Sequence, residues 1–196
     1  MLRILASVAL PLSLASVAAC SSTPPERPPL EGADIGGPFE LIDKAGQTVR
    51  WSDFSGKYRV VYFGYTFCPD VCPTDMARTA RGFAAFAKEH PDLAKDVAVM
   101  FITVDPERDT PEKVGEFASA FSPDIIGLTG SQEQVDAAKD AFRVFASKGE
   151  TSPGGGYLVN HSNITYLFDR DGKPLATLPT DQGAEAVAAE LDKWVR

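Results

Sequence analysis

The 196-residue chain is poor in histidine, in cysteine and in net positive charge. His90 and His161 are its two histidines, so any imidazole chemistry must use one of them. Three cysteines are too few for a disulfide-built scaffold. They are enough for one pair, Cys68 and Cys72, and one solitary residue, Cys20. Lys and Arg number 19 against 27 Asp and Glu, which gives a net charge of −8. A nucleic-acid binder needs a basic face for phosphates, so this balance argues against that class. The apolar stretch at residues 4–17 is shorter than the ~20 residues of a spanning helix. Pro11, Ser7, Ser13 and Ser16 also interrupt it, so a multi-span membrane protein is excluded. What remains is 44% hydrophobic and 23% charged residues, an ordinary composition that can bury one core.

The N-terminus reads as an address. Arg3 precedes the apolar stretch, and small residues follow it, which is the order of a secretory signal peptide over residues 1–19. The run Val17-Ala18-Ala19-Cys20 resembles the lipobox of bacterial lipoproteins, in which the cysteine becomes the lipidated first residue. An uncleaved anchor helix is the alternative, and both place the rest of the chain outside the cytoplasm. Residues 20–37 are rich in Pro, Ser and Gly and predict an extended, semi-rigid spacer after the lipidated Cys20. Residues 38–196 are then one domain. The sequons at Asn160 and Asn163 are read as chance, because the signal looks bacterial.

Within the domain, residues 38–42 and 47–51 predict a hairpin across Asp43-Lys44-Ala45-Gly46. Residues 59–65 and 97–104 are apolar runs that fit strands buried on both faces. Between them Met76, Ala80, Phe83 and Ala87 recur at helical spacing after Pro73. A second helix starts at Asp109-Thr110-Pro111 and runs to about Phe121. A short strand covers residues 125–128, and the box Ser131…Gln134 opens a third helix to about Phe145. Residues 147–156 are Gly-rich and read as loop. Residues 164–168 and 174–178 flank a turn, and residues 185–194 close as an amphipathic helix. Strand–helix alternation followed by hairpin and helix predicts an α/β mixed sheet. The best match is a thioredoxin-like fold with an N-terminal hairpin extension and a Gly-rich insertion before the strand at His161.

The chemistry concentrates at Cys68-Pro69-Asp70-Val71-Cys72-Pro73, where the first buried strand gives way to a helix. Ligand sites of α/β sheets gather at such junctions, and a helix N-terminus favours thiolates. Two cysteines four apart can hold soft Cu(I), close a redox disulfide, or merely staple a loop. Residue type and spacing alone leave these open. His161, just before a predicted strand, is weak evidence by itself. His90 suits the negative end of the first helix and is given no function. Asp105, Glu107, Arg108 and Asp109 form a charged loop near the same sheet edge. Asp109 or Thr110 is expected to cap the next helix, with a site-facing role for Asp105 as the alternative.

Three segments now carry a resemblance. GYTFCPDVCPTDM at residues 64–76, VDPERDTPE at 104–112 and YLVNHSNITYLFDRDG at 157–172 resemble signatures of the Sco/SenC family of copper-binding, thioredoxin-fold proteins. The likeness covers nearly the whole domain. It implies that Cys68, Cys72 and His161 bind copper, as Cu(I) and/or Cu(II), and that Cys68 and Cys72 can form a redox-active disulfide. It implies a role in assembling the CuA centre of cytochrome c oxidase, with the CuA-bearing subunit as partner. Another copper chaperone or a thioredoxin-like reductant is a further candidate partner. The family commonly has Asp before the His, and this chain has Asn160. Three functions follow: a copper chaperone, a thiol–disulfide oxidoreductase acting on a partner's cysteine pair, and a peroxide reductase. The last is weakest, because it leaves His161 idle. A lipid anchor places the expected protein on a cell-envelope membrane, with its domain on the periplasmic side in a Gram-negative cell.

Overall fold

In a computed structural model that describes residues 26–196 apart from 153 and 155, strands β1 (Glu40–Ile42) and β2 (Thr48–Arg50) form the expected first hairpin. The carboxylate of Asp43 makes the turn by accepting the N–H groups of Ala45 and Gln47, each at 2.9 Å. The expected leader and Cys20 lie outside the described residues. Part of the Pro-rich stretch is described: Leu30 and Ile35 pack against the core, and the Leu30 N–H donates to the Leu175 carbonyl at 3.0 Å.

The apolar runs become β3 (Tyr58–Gly64) and β4 (Val97–Thr103), buried at every residue. They pair in parallel, Tyr58 opposite Val97 through Gly64 opposite Thr103. Strand β5 (Ile125–Leu128) adds in parallel to β4. Strand β8 (Thr165–Phe168) adds antiparallel to β3, and β9 (Pro174–Leu178) follows it. The five-stranded order is β5-β4-β3-β8-β9, so the most apolar strands are central. Both sheet faces are covered, which is why β3 and β4 show no polar alternation.

Helix α1 (Val71–Glu89) packs on one face beside α5 (Ala184–Trp194). The helices meet closely at Gly82, where a methyl group would stand 2.6 Å from Val187. On the same face Tyr62 stacks on Phe101, which meets Phe117 of α3 (Pro111–Ser119) at 4.7 Å between ring centroids. On the other face Phe63 and Phe168 meet Phe142, which follows α4 (Gln132–Ala141), and Trp51 closes the cluster.

Several details depart from the expected pattern. Helix α1 begins at Val71, two residues before Pro73, which places Cys72 inside its first turn. A short α2 (Pro91–Ala94) follows directly. Helix α4 ends at Ala141 rather than near Phe145: Phe142 turns into the core and Arg143 takes a left-handed φ of 56°. The stretch expected to be loop contains β6 (Ala146–Lys148), paired antiparallel with β7 (Val159–His161). Of the two residues expected to cap α3, Thr110 does so, its side chain accepting the Lys113 N–H. His90 caps the end of α1, its Nε2 2.7 Å from Asp192 Oδ1 on α5.

Candidate metal centre

Strand β3 ends at Gly64, and a turn follows in which the Cys68 N–H donates to the Tyr65 carbonyl at 3.2 Å. The chain then enters α1. Asp70 stands at the cap position but makes no side-chain cap bond. Cys68 takes that place in part, its Sγ accepting the Cys72 N–H at 3.4 Å. The CxxxC spacing thus wraps a helix start, with one sulfur at the exposed N–H groups and the other inside the first turn.

The third residue comes from the small hairpin. β7 delivers His161 beside Cys72, with Nε2 3.2 Å from Sγ. The donor atoms of Cys68, Cys72 and His161 all lie within 4.8 Å of one another. Both cysteines are free thiols. His161 Nδ1 lies 3.0 Å from the Ser162 carbonyl, and a carbonyl only accepts, so Nδ1 carries the proton. The Nε2 lone pair therefore faces the sulfurs, the tautomer a metal ligand needs. A main-chain carbonyl sets this orientation. Asn160 is exposed and alternates away from His161 along β7, so its side chain does not orient this imidazole.

Burial governs the electrostatics. Cys72 is fully buried, and burial pushes its thiol well above the ordinary range. This outweighs the helix N-terminus, which favours the anion. A protonated Cys72 can donate its S–H to His161 Nε2. Burial likewise holds His161 below its ordinary value, with the Ser162 carbonyl opposing. Both groups are thus held toward their neutral forms. A soft cation would displace the thiol protons and gain two thiolates and one imidazole.

The surroundings hold residues that sequence reasoning passed over. Gly64 lets Cys72 Sγ lie against β3, since a methyl there would stand 3.0 Å from that sulfur. Tyr65 and Tyr62 meet the His161 ring edge-on, at 5.7 and 6.4 Å between centroids. Tyr62 donates to the buried Asp75 carboxylate at 3.3 Å. In the charged loop Asp105 and Asp109 are buried, Arg108 is half-buried and Glu107 is exposed. Asp109 accepts the Thr66 N–H and hydroxyl at 2.9 and 2.6 Å, fixing the turn before Cys68. Asp105 accepts from Arg108 and from the Tyr157 hydroxyl. It faces the hairpin that carries His161, not the sulfurs themselves. His90, at the far end of the 19-residue α1, is about 27 Å of helix away.

The sequence model of the SCO1/SenC family matches residues 27–196. The SenC protein of Rhodobacter capsulatus is 46% identical over 140 residues, covering 70% of this chain and 60% of that one. The chain spans about half the length of the mitochondrial relatives it matches, 42% of one from Arabidopsis thaliana and 53% of one from Homo sapiens. Among solved structures, copper-bound ScoI of Bradyrhizobium japonicum superposes with a TM-score of 0.73 at 37% identity, covering 82% of this chain and 99% of that one. A SCO1/SenC family lipoprotein of Bacillus anthracis superposes with a TM-score of 0.64 at 26% identity, covering 83% and 95%. The match to the family model runs through the sheet, the CxxxC helix start and the histidine hairpin alike, and the chain belongs to the SCO1/SenC family.

Proposed function

We propose that this domain binds copper through Cys68, Cys72 and His161 and acts as a metallochaperone. In this reading it delivers the ion to the CuA site of cytochrome c oxidase, reduces the thiols of that site, or both. The observation that carries it is the convergence of two thiols and one correctly oriented imidazole within 4.8 Å. An S₂N set fits copper better than calcium or magnesium, which take oxygen ligands. A structural zinc site would call for a fourth ligand. Among the described residues this is the one group of three or more metal-binding side chains so placed. The copper-bound relative supports the choice of ion.

The experiment is a copper titration of the reduced domain followed by visible spectroscopy, repeated on His161→Ala. Two thiolates hold Cu(I) unaided, whereas Cu(II) asks for nitrogen and for more than two ligands. Loss of His161 is therefore expected to abolish the thiolate-to-Cu(II) band and to weaken Cu(I) far less. Unchanged binding of both ions would remove the histidine from the site.

A second reading is dithiol exchange with a partner's cysteine pair, without copper delivery. It is favoured by two free sulfurs lying side by side, one receiving the other's main-chain N–H. Cytochrome c oxidase assembly under copper limitation bears on the choice in one direction. Delivery requires His161, so normal assembly in a His161→Ala strain that fails in Cys68→Ser would leave exchange as the job.

The same proposal covers the rest of the chain. Residues 1–19 are a signal peptide, Cys20 is the lipidated residue, and the domain from residue 38 stands on the outer side of a cell-envelope membrane. The lipobox-like run ending at Cys20 and the family lipoprotein of Bacillus anthracis support this. No helix among the described residues is long and apolar enough to cross a membrane. The expected partners are the CuA-bearing subunit and a second copper chaperone or thioredoxin-like reductant.

A further inference from the structure

The two sulfurs and the imidazole reach the site from parts of unequal rigidity. Cys68 and Cys72 sit between a central strand and a 19-residue helix. His161 ends a hairpin of three residue pairs that is no part of the five-stranded sheet. A two-stranded hairpin is marginally stable alone in water. Side-chain contacts must therefore fix where His161 stands relative to the sulfurs.

Beside an exposed Lys148–Glu107 ion pair at 2.9 Å, the buried contacts converge on one guanidinium. Arg108 Nε donates to Asp105 Oδ2 at 2.5 Å, and Nη1 donates to the Tyr157 carbonyl at 2.9 Å, four residues before His161. The Arg108 guanidinium carbon is 3.5 Å from the ring centroid of Tyr157. It is also 4.9 Å from the ring centroid of Phe67 and 5.6 Å from that of Tyr65, both in the segment leading to Cys68. Its Nη2 is buried without a hydrogen-bond partner among these rings, so aromatic faces stand where an oxygen acceptor would. Asp105 closes the network by accepting the Tyr157 hydroxyl at 2.8 Å. Burial and this bond push that hydroxyl up to about 12, so it remains a donor. From the same loop, Asp109 holds Thr66 on the cysteine side.

We propose that Arg108 is a positioning residue of the metal centre: clamped between the segment leading to Cys68 and the hairpin carrying His161, it sets the distance of the imidazole from the two sulfurs. This rests on the copper reading for its consequence and on the tether geometry alone for its mechanics. Lysine cannot replace it. An ammonium lacks both the planar fork that holds Asp105 and the Tyr157 carbonyl together and the flat face that stacks on three rings.

The test uses the full chain, reduced, with Arg108→Lys, Arg108→Ala and Tyr157→Phe. Hydrogen exchange in the metal-free protein reads the tether directly. Amides of Ser147, Asn160 and Ser162, whose N–H groups belong to the hydrogen-bonded pairs of the hairpin, are expected to exchange at least about tenfold faster in Arg108→Lys, with β3 and β4 unchanged. Copper titration reads the consequence. Cu(II) affinity is expected to fall roughly 10- to 100-fold with a shifted thiolate band, while Cu(I) affinity changes far less. Tyr157→Phe is expected to move both readouts the same way by a smaller step. Unchanged hairpin exchange in Arg108→Lys overturns the proposal, and so does a uniform rise across the domain, which marks a merely structural role. If Arg108→Ala fails to fold, the lysine and phenylalanine variants decide. A missing thiolate–Cu(II) band in the unaltered protein would overturn the copper reading instead, and the exchange data would still judge the tether.

Discussion

Gly64→Ala is the most local test of how the fold makes the site. Gly64 ends β3 opposite Thr103, and its carbonyl accepts the Val104 N–H at 2.7 Å. Its backbone is not left-handed, so alanine meets no backbone strain and the effect is one of space alone. The new methyl carbon would stand 2.8 Å from Tyr62 Cε1, 3.0 Å from Phe101 Cε2 and 3.0 Å from Cys72 Sγ. Non-bonded carbons prefer about 3.5–4.0 Å, so each neighbour must yield by roughly half an ångström or more. All three are buried, which leaves no slack in the aromatic stack. Overpacking of this kind costs about 1–3 kcal/mol. For a domain of this size that lowers Tm by about 2–12 °C. The easier relief is an outward shift of the first turn of α1, which carries Cys72 away from His161. Cu(I) affinity should therefore fall as well, by about tenfold. Denaturant melts and competition with a Cu(I) chelator measure the two effects. Gly156→Ala is the control, because a methyl there would meet only Ser152 Oγ at 3.6 Å. Unchanged Tm and copper affinity in Gly64→Ala would refute the argument that the glycine makes room for the sulfur.

Two further expectations concern acid and the leader. Burial lowers His161 from its ordinary 6.5, so the unfolded chain takes up this proton before the folded one does. The stability involved is present above that value and is lost as pH falls through the folded value. The copper-free denaturant midpoint should thus drop more between neutral and mildly acid pH in the unaltered protein than in His161→Asn, and equal drops would contradict the burial argument. For the leader, intact mass of the mature protein should show an acylated chain beginning at Cys20, and Cys20→Ser should block maturation. A mature protein still starting at Met1 would end the lipoprotein proposal.

The legible parts of this molecule are those where local chemistry and the final fold agree. β3 and β4 announce themselves because strands covered on both faces must be apolar throughout. The turns after Asp43 and Asp169 do so because their carboxylates take main-chain N–H groups, as those of Asp169 do from Asp171 and Lys173. The Ser131 cap of α4 is present with its reciprocal Gln134 bond. The end of α4 was hidden because Phe142 and Val144 continue an apolar pattern that tertiary packing, not helix, satisfies. The β6–β7 hairpin was hidden because its strands are three residues long and mostly polar, with no alternation to read. The charged loop was hidden for a deeper reason. Asp and Arg are ordinarily solvated, so nothing local signals that Asp105 and Asp109 fold inward. Their burial is tolerable because Thr66 and Thr103 donate to Asp109 while Arg108 and Tyr157 donate to Asp105, and the pairings with distant Thr66 and Tyr157 belong to the topology.

The position of His161 changes what a histidine variant can reveal. Dithiol exchange formally needs only sulfur, so dependence on His161 would seem to mark copper chemistry. Yet Nε2 lies 3.2 Å from the sulfur whose proton burial makes hard to remove. An imidazole so placed can also accept the Cys72 proton during exchange, and thiol exchange proceeds through the thiolate. Cys72 is fully buried and Cys68 is 9% exposed, so in an exchange reaction an incoming disulfide would meet Cys68 first and Cys72 would resolve the mixed disulfide. His161 would therefore serve either function, as a metal ligand or as a base for the resolving thiol. Loss of activity in His161→Ala does not distinguish them by itself. The distinction lies in the oxidation state of the ion. A base for Cys72 has no reason to favour Cu(II) over Cu(I), whereas a third ligand does, and this is why the paired copper titration carries more weight than any assembly phenotype.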